Sequence, residues 1–191
     1  MKQNAPLRLV AEDLDVSPQY LMSCLMEEDC KHVGLFIPIP KEFHDQFHKG
    51  REKEDDSPPH ITFLYIGDAQ PEDEEKIASI AKDVLGKAKP FTVKFGDYSE
   101  FVNDEHRVAH VKIESDRLHE LHKELKKAMK DGGVKVDNTH PTYKPHSTLN
   151  YIDPDANYEG PVPSGEFEVA KVGLWGFDKD KDIKVGNSQT R

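Results

Sequence analysis

The chain is predicted to be α+β, built from two pseudo-symmetric halves rather than a regular doubly wound sheet. Three observations carry this reading. Residues 59–66 read Pro-His-Ile-Thr-Phe-Leu-Tyr-Ile and residues 145–152 read Pro-His-Ser-Thr-Leu-Asn-Tyr-Ile, so Pro, His, Thr, Tyr and Ile recur at the same offsets. Each copy sits inside an apolar stretch of strand-forming residues. Each half also holds one amphipathic helical stretch, and the strands and helices are mixed without a steady βαβ alternation. A chain of 191 residues has room for one large domain or one two-lobed domain with a buried core.

The elements follow in order. Residues 1–30 show no strand period; Asp13 and Asp15 precede Leu21, Met22, Leu25 and Met26, a short amphipathic helix that either packs on the domain or serves as a partner-binding arm. Residues 33–37 form a compact apolar run closed by Pro38 and Pro40, a first strand. Residues 41–49 suit a turn of helix, and the charged, Pro-ended stretch 50–59 reads as a loop. The first motif strand spans 61–67. Pro71 with Glu72, Asp73, Glu74 and Glu75 fits a helix start, where acidic side chains face the positive end of the dipole. Ile77, Ile80, Ala81, Val84 and Leu85 follow at helical spacing, and Gly86 closes the run. Phe91, Val93 and Phe95 alternate as a strand, and 106–113 reads as another. A second helix starts at Asp116 with an inward stripe of Leu118, Leu121, Leu125, Ala128 and Met129, and Asp131-Gly132-Gly133 stops it. The second motif strand lies within 143–152, a Pro- and Gly-rich loop within 158–165, one strand over 167–175 and a short last one over 182–185. Residues 187–191 form a tail.

Composition narrows the function. A net charge of −10 argues against non-specific binding to long nucleic acid, which needs a basic face, while leaving room for a small anion in a locally positive pocket. No apolar run reaches membrane-spanning length, and the first residues lack the apolar core of a signal peptide. Cys24 and Cys30 fit reduced thiols in a cytoplasmic protein, with a lone disulfide as the alternative. No Gly-rich nucleotide cradle with a following Lys-Ser/Thr is present, so ATP-driven ligation has no support.

The repeat carries the chemistry. Side chains two apart in a strand share a face, so His60 and Thr62 point together, as do His146 and Thr148. The same alternation sends Tyr65 and Tyr151 to the packed face and places Asn150 on the His146 face, where the first copy has Leu64. Histidine exchanges protons near neutral pH. A neutral imidazole takes a proton from an attacking hydroxyl or water, and an imidazolium gives one to the departing oxygen. Two of them on opposite sides of one phosphorus support in-line displacement without a metal, and the threonine hydroxyls can bind the non-bridging oxygens. A single His-x-Thr is weak; two copies sharing the preceding Pro and the following Tyr-Ile are strong.

On these residues the chain resembles the two-histidine (2H) phosphoesterases, which include RNA 2′,5′-ligase-like proteins, cyclic phosphodiesterases and phage enzymes that cleave cyclic-oligonucleotide immune signals. The matching motifs are His60-Ile61-Thr62 and His146-Ser147-Thr148; residues 32–40 look like the family's first strand and residues 165–176 like its strand after the second motif, especially in phage-type members. The resemblance implies a bilobal fold over 32–186, each lobe bringing one motif, a small antiparallel sheet and a helix to a central cleft. Residues 1–31 then form an extension. It implies cofactor-free, metal-free cleavage of a 2′,3′-cyclic phosphate, a 2′–5′ bond or a cyclic-oligonucleotide linkage, with His60, Thr62, His146 and Thr148 catalytic. The expected partner is a small nucleotide or RNA end, not a membrane or long DNA. The expected state is a monomer in the cytoplasm (of the host, for a phage protein). The competing class is a non-catalytic module that sequesters the same ligand.

Other residues are weighed against plainer roles. Tyr143 and Lys144 precede the second motif, where a lysine either attracts phosphate or is merely solvated. Trp175 either stacks a base or is core. His110 either lines the cleft or lies on a sheet surface. His44 with His48, His106 with His110 and His119 with His122 have spacings that could bind zinc, yet no Cys or carboxylate cluster completes a metal set. Lys123, Lys126, Lys127 and Lys130 form a basic helix stripe, read as a solvated face.

Overall fold

The computed structural model describes residues 31–48, 58–102, 107–139 and 142–186. The expected arm with Cys24 and Cys30, residues 50–57 of the charged loop, His106 and the 187–191 tail lie outside the described residues.

Two four-stranded antiparallel sheets form the scaffold. The first contains β1 (Lys31–Pro38), β2 (His60–Ala69), β7 (Lys171–Trp175) and β8 (Lys181–Lys184), in the order β2-β1-β7-β8. The second contains β3 (Phe91–Val102), β4 (Arg107–Glu114), β5 (His146–Ile152) and β6 (Glu166–Val169), in the order β5-β4-β3-β6. The two lobes are therefore not the two halves of the sequence. The single strand expected over 167–175 is two strands in different sheets. Phe167 and Val169 are buried, then Val172 and Leu174, so the period slips by one residue at the crossing between lobes. Ala170 sits at that slip, and its carbonyl accepts a hydrogen bond from the Val185 N–H at 2.8 Å.

Three helices accompany the sheets among the described residues. A 3₁₀ turn (Lys41–Phe43) leads into the short α1 (His44–His48), and another (Pro71–Asp73) into α2 (Glu74–Leu85). The third, α3 (Asp116–Asp131), starts at Ser115, whose hydroxyl accepts from the Leu118 N–H. It ends where Gly133 takes the left-handed φ of 74°. Leu118, Leu121, Leu125 and Met129 are fully buried, while Ala128, expected in that stripe, is only half-buried. Each such buried side chain contributes roughly 1.5–3 kcal/mol. The two long helices pack on each other, α2 against β8 and α3 against β2 and β3.

Local irregularities repeat with the motif. In the first sheet Leu35 pairs with Leu64 but Phe36 pairs with Thr62, so Phe63 is an extra residue. In the second, Ala109 pairs with Asn150 but His110 pairs with Thr148, so Leu149 is extra. A bulge therefore follows the motif threonine in both copies, and it interrupts strict alternation. Leu64 consequently joins the core, and Tyr65, expected on the face away from Thr62, lines a cavity with it while staying buried. The alternation that placed Asn150 on the His146 face is broken at Leu149 in the same way.

The motif strands β2 and β5 are each an edge of their sheet and contact one another. The Tyr143 hydroxyl spans the seam, donating to the Thr62 carbonyl at 3.0 Å, and the Asp137 N–H donates to Ile66 further along at 3.0 Å. Among the described residues no helix is long and apolar enough to cross a membrane.

Candidate active site

In both copies the proline anchors the start of the motif strand. The carbonyls of Pro59 and Pro145 accept from Ile39, just past the end of β1, and from Ile113 in β4, both at 3.0 Å. Proline holds the preceding residue extended. In both copies that preceding carbonyl meets the imidazole: His60 Nδ1 lies 2.9 Å from the Pro58 oxygen and His146 Nδ1 2.8 Å from the Lys144 oxygen. A carbonyl only accepts, so both rings carry a proton on Nδ1 and use Nε2 as the basic nitrogen in the neutral form. The two histidines are thus set in the same tautomer by the same device.

Each histidine leans against a pair of stacked rings at matching register positions. In the first lobe Phe36 pairs across from Thr62, and Trp175 pairs with Gly34. Phe36 and Trp175 stack at 4.7 Å, and His60 meets them edge-on at 5.2 and 5.3 Å. In the second lobe His110 pairs across from Thr148, and Phe101 pairs with Val108. Phe101 and His110 stack at 4.1 Å, and His146 meets them at 4.9 and 5.1 Å. Glycine makes room for the first pair: a Cβ on Gly173 would lie 2.3 Å from Trp175 Nε1, and one on Gly34 would lie 2.7 Å from the Phe36 ring. Trp175 is half-buried beside His60 instead of belonging to the core.

His110 is buried at 3 % exposure, and its Nδ1 lies 3.1 Å from the Val108 oxygen. Loss of water, and then the nearby His146, push it down to about 4, so it is neutral at physiological pH. The Thr148 hydroxyl is buried with no hydrogen-bond partner among the described residues. A buried hydroxyl left unpaired costs roughly 1–3 kcal/mol, which makes it a donor awaiting an acceptor. Thr62 and His146 border one cavity, which brings the two motifs to a shared seam.

The remaining expected residues divide. Tyr143 is a brace: besides its bond to Thr62 its ring stacks on His122 at 3.8 Å, and burial pushes its hydroxyl pKa up. Lys144 is exposed, supplies the carbonyl for His146, and carries its ammonium 6.0 Å from the Phe101 ring. Asn150 is half-buried and pairs with Ala109. Among the described residues no group of three or more His, Cys, Asp or Glu is arranged to hold a metal ion. His44 Nε2 lies 2.9 Å from the Ile39 oxygen, and His119 and His122 both contact Tyr143. Phe36 and Phe101 were not singled out from the sequence; their places follow from cross-strand register, which no local signal reports.

The profile of the 2′-5′ RNA ligase superfamily matches residues 40–181. No curated protein matches the chain by sequence. Among solved structures, TT0787 of Thermus thermophilus is similar at TM-score 0.64 and 16% identity, covering 82% of this chain and 99% of that one. E. coli LigT complexed with 3′-AMP is similar at TM-score 0.58 and 16% identity, covering 82% and 95%. Kluyveromyces marxianus Usb1 with uridine monophosphate reaches TM-score 0.54 at 10% identity, covering 81% and 98%. At these identities the likeness is one of fold, the expected bilobal α+β arrangement. Since the matched segment spans most of the sequence, the chain belongs to the 2′-5′ RNA ligase superfamily of two-histidine phosphoesterases.

Proposed function

We propose that the protein is a metal-independent phosphodiesterase acting on a small nucleotide, with His60 and His146 as the acid–base pair. The observation that carries this is the duplicated setting of the two imidazoles: each follows proline and donates Nδ1–H to the carbonyl two residues back, and Thr62 of one motif and His146 of the other border one cavity. One neutral ring accepts a proton at Nε2 from the attacking water or ribose 2′-hydroxyl as the new P–O bond forms. The other, protonated, gives its Nε2 proton to the departing oxygen as the old P–O bond breaks. Attack by a 2′-hydroxyl yields a cyclic phosphate, and attack by water a monoester. Thr62 and Thr148 donate to the non-bridging oxygens, which satisfies the buried Thr148 hydroxyl.

The substrate is a 2′,3′-cyclic phosphate, a 2′–5′ linkage or a cyclic-oligonucleotide messenger. The net charge of −10 favours such a small ligand over long RNA. The reading is supported by the similarly folded LigT, complexed with 3′-AMP, and Usb1, with uridine monophosphate. Resemblance of residues 165–176 to phage-type members favours cyclic-oligonucleotide messengers of host immunity.

Incubation with cyclic di- and trinucleotides, 2′,3′-cyclic nucleotides and 2′–5′ oligoadenylate in excess chelator tests the reading. Turnover of at least one class with a bell-shaped pH profile is expected. Stoichiometric binding without product would replace the enzyme with a sequestering module.

A further inference from the structure

Beside the two-histidine seam lies a cavity of about 60 Å³. One water needs only roughly 10–15 Å³, so there is room for a tetrahedral oxyanion. Its lining includes Thr62 and His146 from the two motifs and His122 and Lys126 from α3. Phe63, Leu64 and Tyr65 form its floor along the edge of β2 that has no strand neighbour.

We propose that this cavity receives a second anionic group of the substrate, held by Lys126, so that the preferred substrate carries a phosphate in addition to the reacting one. The inference rests on the catalytic reading above for where the first phosphate sits. Lys126 is half-buried, yet its ammonium has a neutral partner, Asn138 Oδ1 at 2.8 Å, and no ion pair among the described residues. Loss of water and the adjacent Lys130 weaken its hold on the proton more than the nearby Asp137 strengthens it. Asp137 also lines the cavity and attracts Lys126, while its carboxylate is held back on the Thr139 N–H and hydroxyl at 3.0 and 2.9 Å and makes no ion pair with that lysine among the described residues. Lys123 and Lys130 share the helix face of Lys126 at spacings of three and four. Lys127, on the same stripe, is neutralised by Asp131, and Arg117 by Glu120 and Glu124. His122 is pushed down to about 4, first by burial, so it offers a neutral imidazole there. A nucleobase does not fit between the aromatic walls, because Tyr143 and His122 are already stacked at 3.8 Å.

The test is calorimetric binding of adenosine 3′-monophosphate, adenosine 3′,5′-bisphosphate and the dinucleotide ApAp to the full chain, to Lys126→Gln and to the control Lys127→Gln. Glutamine can keep the bond to Asn138 while removing the charge. Wild type and Lys127→Gln should bind at least one doubly phosphorylated ligand about tenfold tighter than the monophosphate, and Lys126→Gln should level the three. Equal affinities in wild type, or a preference that survives Lys126→Gln, would overturn the second site. Adenosine 3′-monophosphate and adenosine 3′,5′-bisphosphate carry only phosphomonoesters and are not turned over, so their comparison stands or falls apart from the catalytic reading. A preference in a protein inactive on the substrate panel would remove that reading alone.

Discussion

The two half-sites share geometry and differ in their wall rings, Phe36 with Trp175 in the first and His110 with Phe101 in the second. In the first lobe the ring opposite the motif threonine is Phe36; in the second it is His110. Both stack on a neighbouring aromatic and both stand about 5 Å from the motif histidine. Burial keeps His110 neutral, so the second wall, like the first, carries no charge. The two walls therefore hold their histidines in the same geometry with different ring chemistry. What repeats strictly is the proline, the Nδ1 bond and the bulge after threonine.

The largest expected effect tests whether the halves act as one unit. His60→Ala and His146→Ala should each lower the rate by roughly 10²–10⁴-fold, and the double variant should lose little more. Near-native rates in either single variant would break the equivalence. Next is Thr148→Val, nearly isosteric, which should cost roughly 10²-fold in rate yet raise stability by about 1 kcal/mol in urea unfolding. Thr62 is half-buried and already engaged in contacts, so Thr62→Val should lower the rate without that gain.

The smallest effect on rate should come from His110→Phe, which makes the second wall like the first. Turnover should change only a few-fold, whereas the pH dependence of stability should change clearly. With the folded pKa depressed to about 4 against about 6.5 unfolded, the unfolded chain binds the extra proton between these values. Stability therefore falls as pH drops through that window, by up to about 3 kcal/mol for this group. Urea melts at pH 7 and pH 4.5 should show His110→Phe losing less than wild type. A hundredfold loss of turnover would instead make His110 part of the chemistry.

Much of this arrangement was legible in the sequence because it is local. The duplicated Pro-His-x-Thr, the stripes of α2 and α3 and the mixed element order are short-range patterns, and they gave the α+β class and both motif strands. The register was not legible. The bulges at Phe63 and Leu149 put Tyr65 on the cavity wall and took Asn150 out of step, against strict alternation. The crossing at Ala170 divides what reads as one strand. Trp175, Phe36, Phe101 and His110 gain their places only through strand pairing, and Lys126 only where α3 lies on β2. None of these is encoded within one segment.

The central claim is that one phosphorus centre is gripped by both imidazoles at once. Titrating inorganic phosphate into the full chain and following the imidazole Cε1–H resonances of His60 and His146 tests it directly. Both signals should move together with a single shared dissociation constant. Movement of only one, or two different constants, would contradict the account.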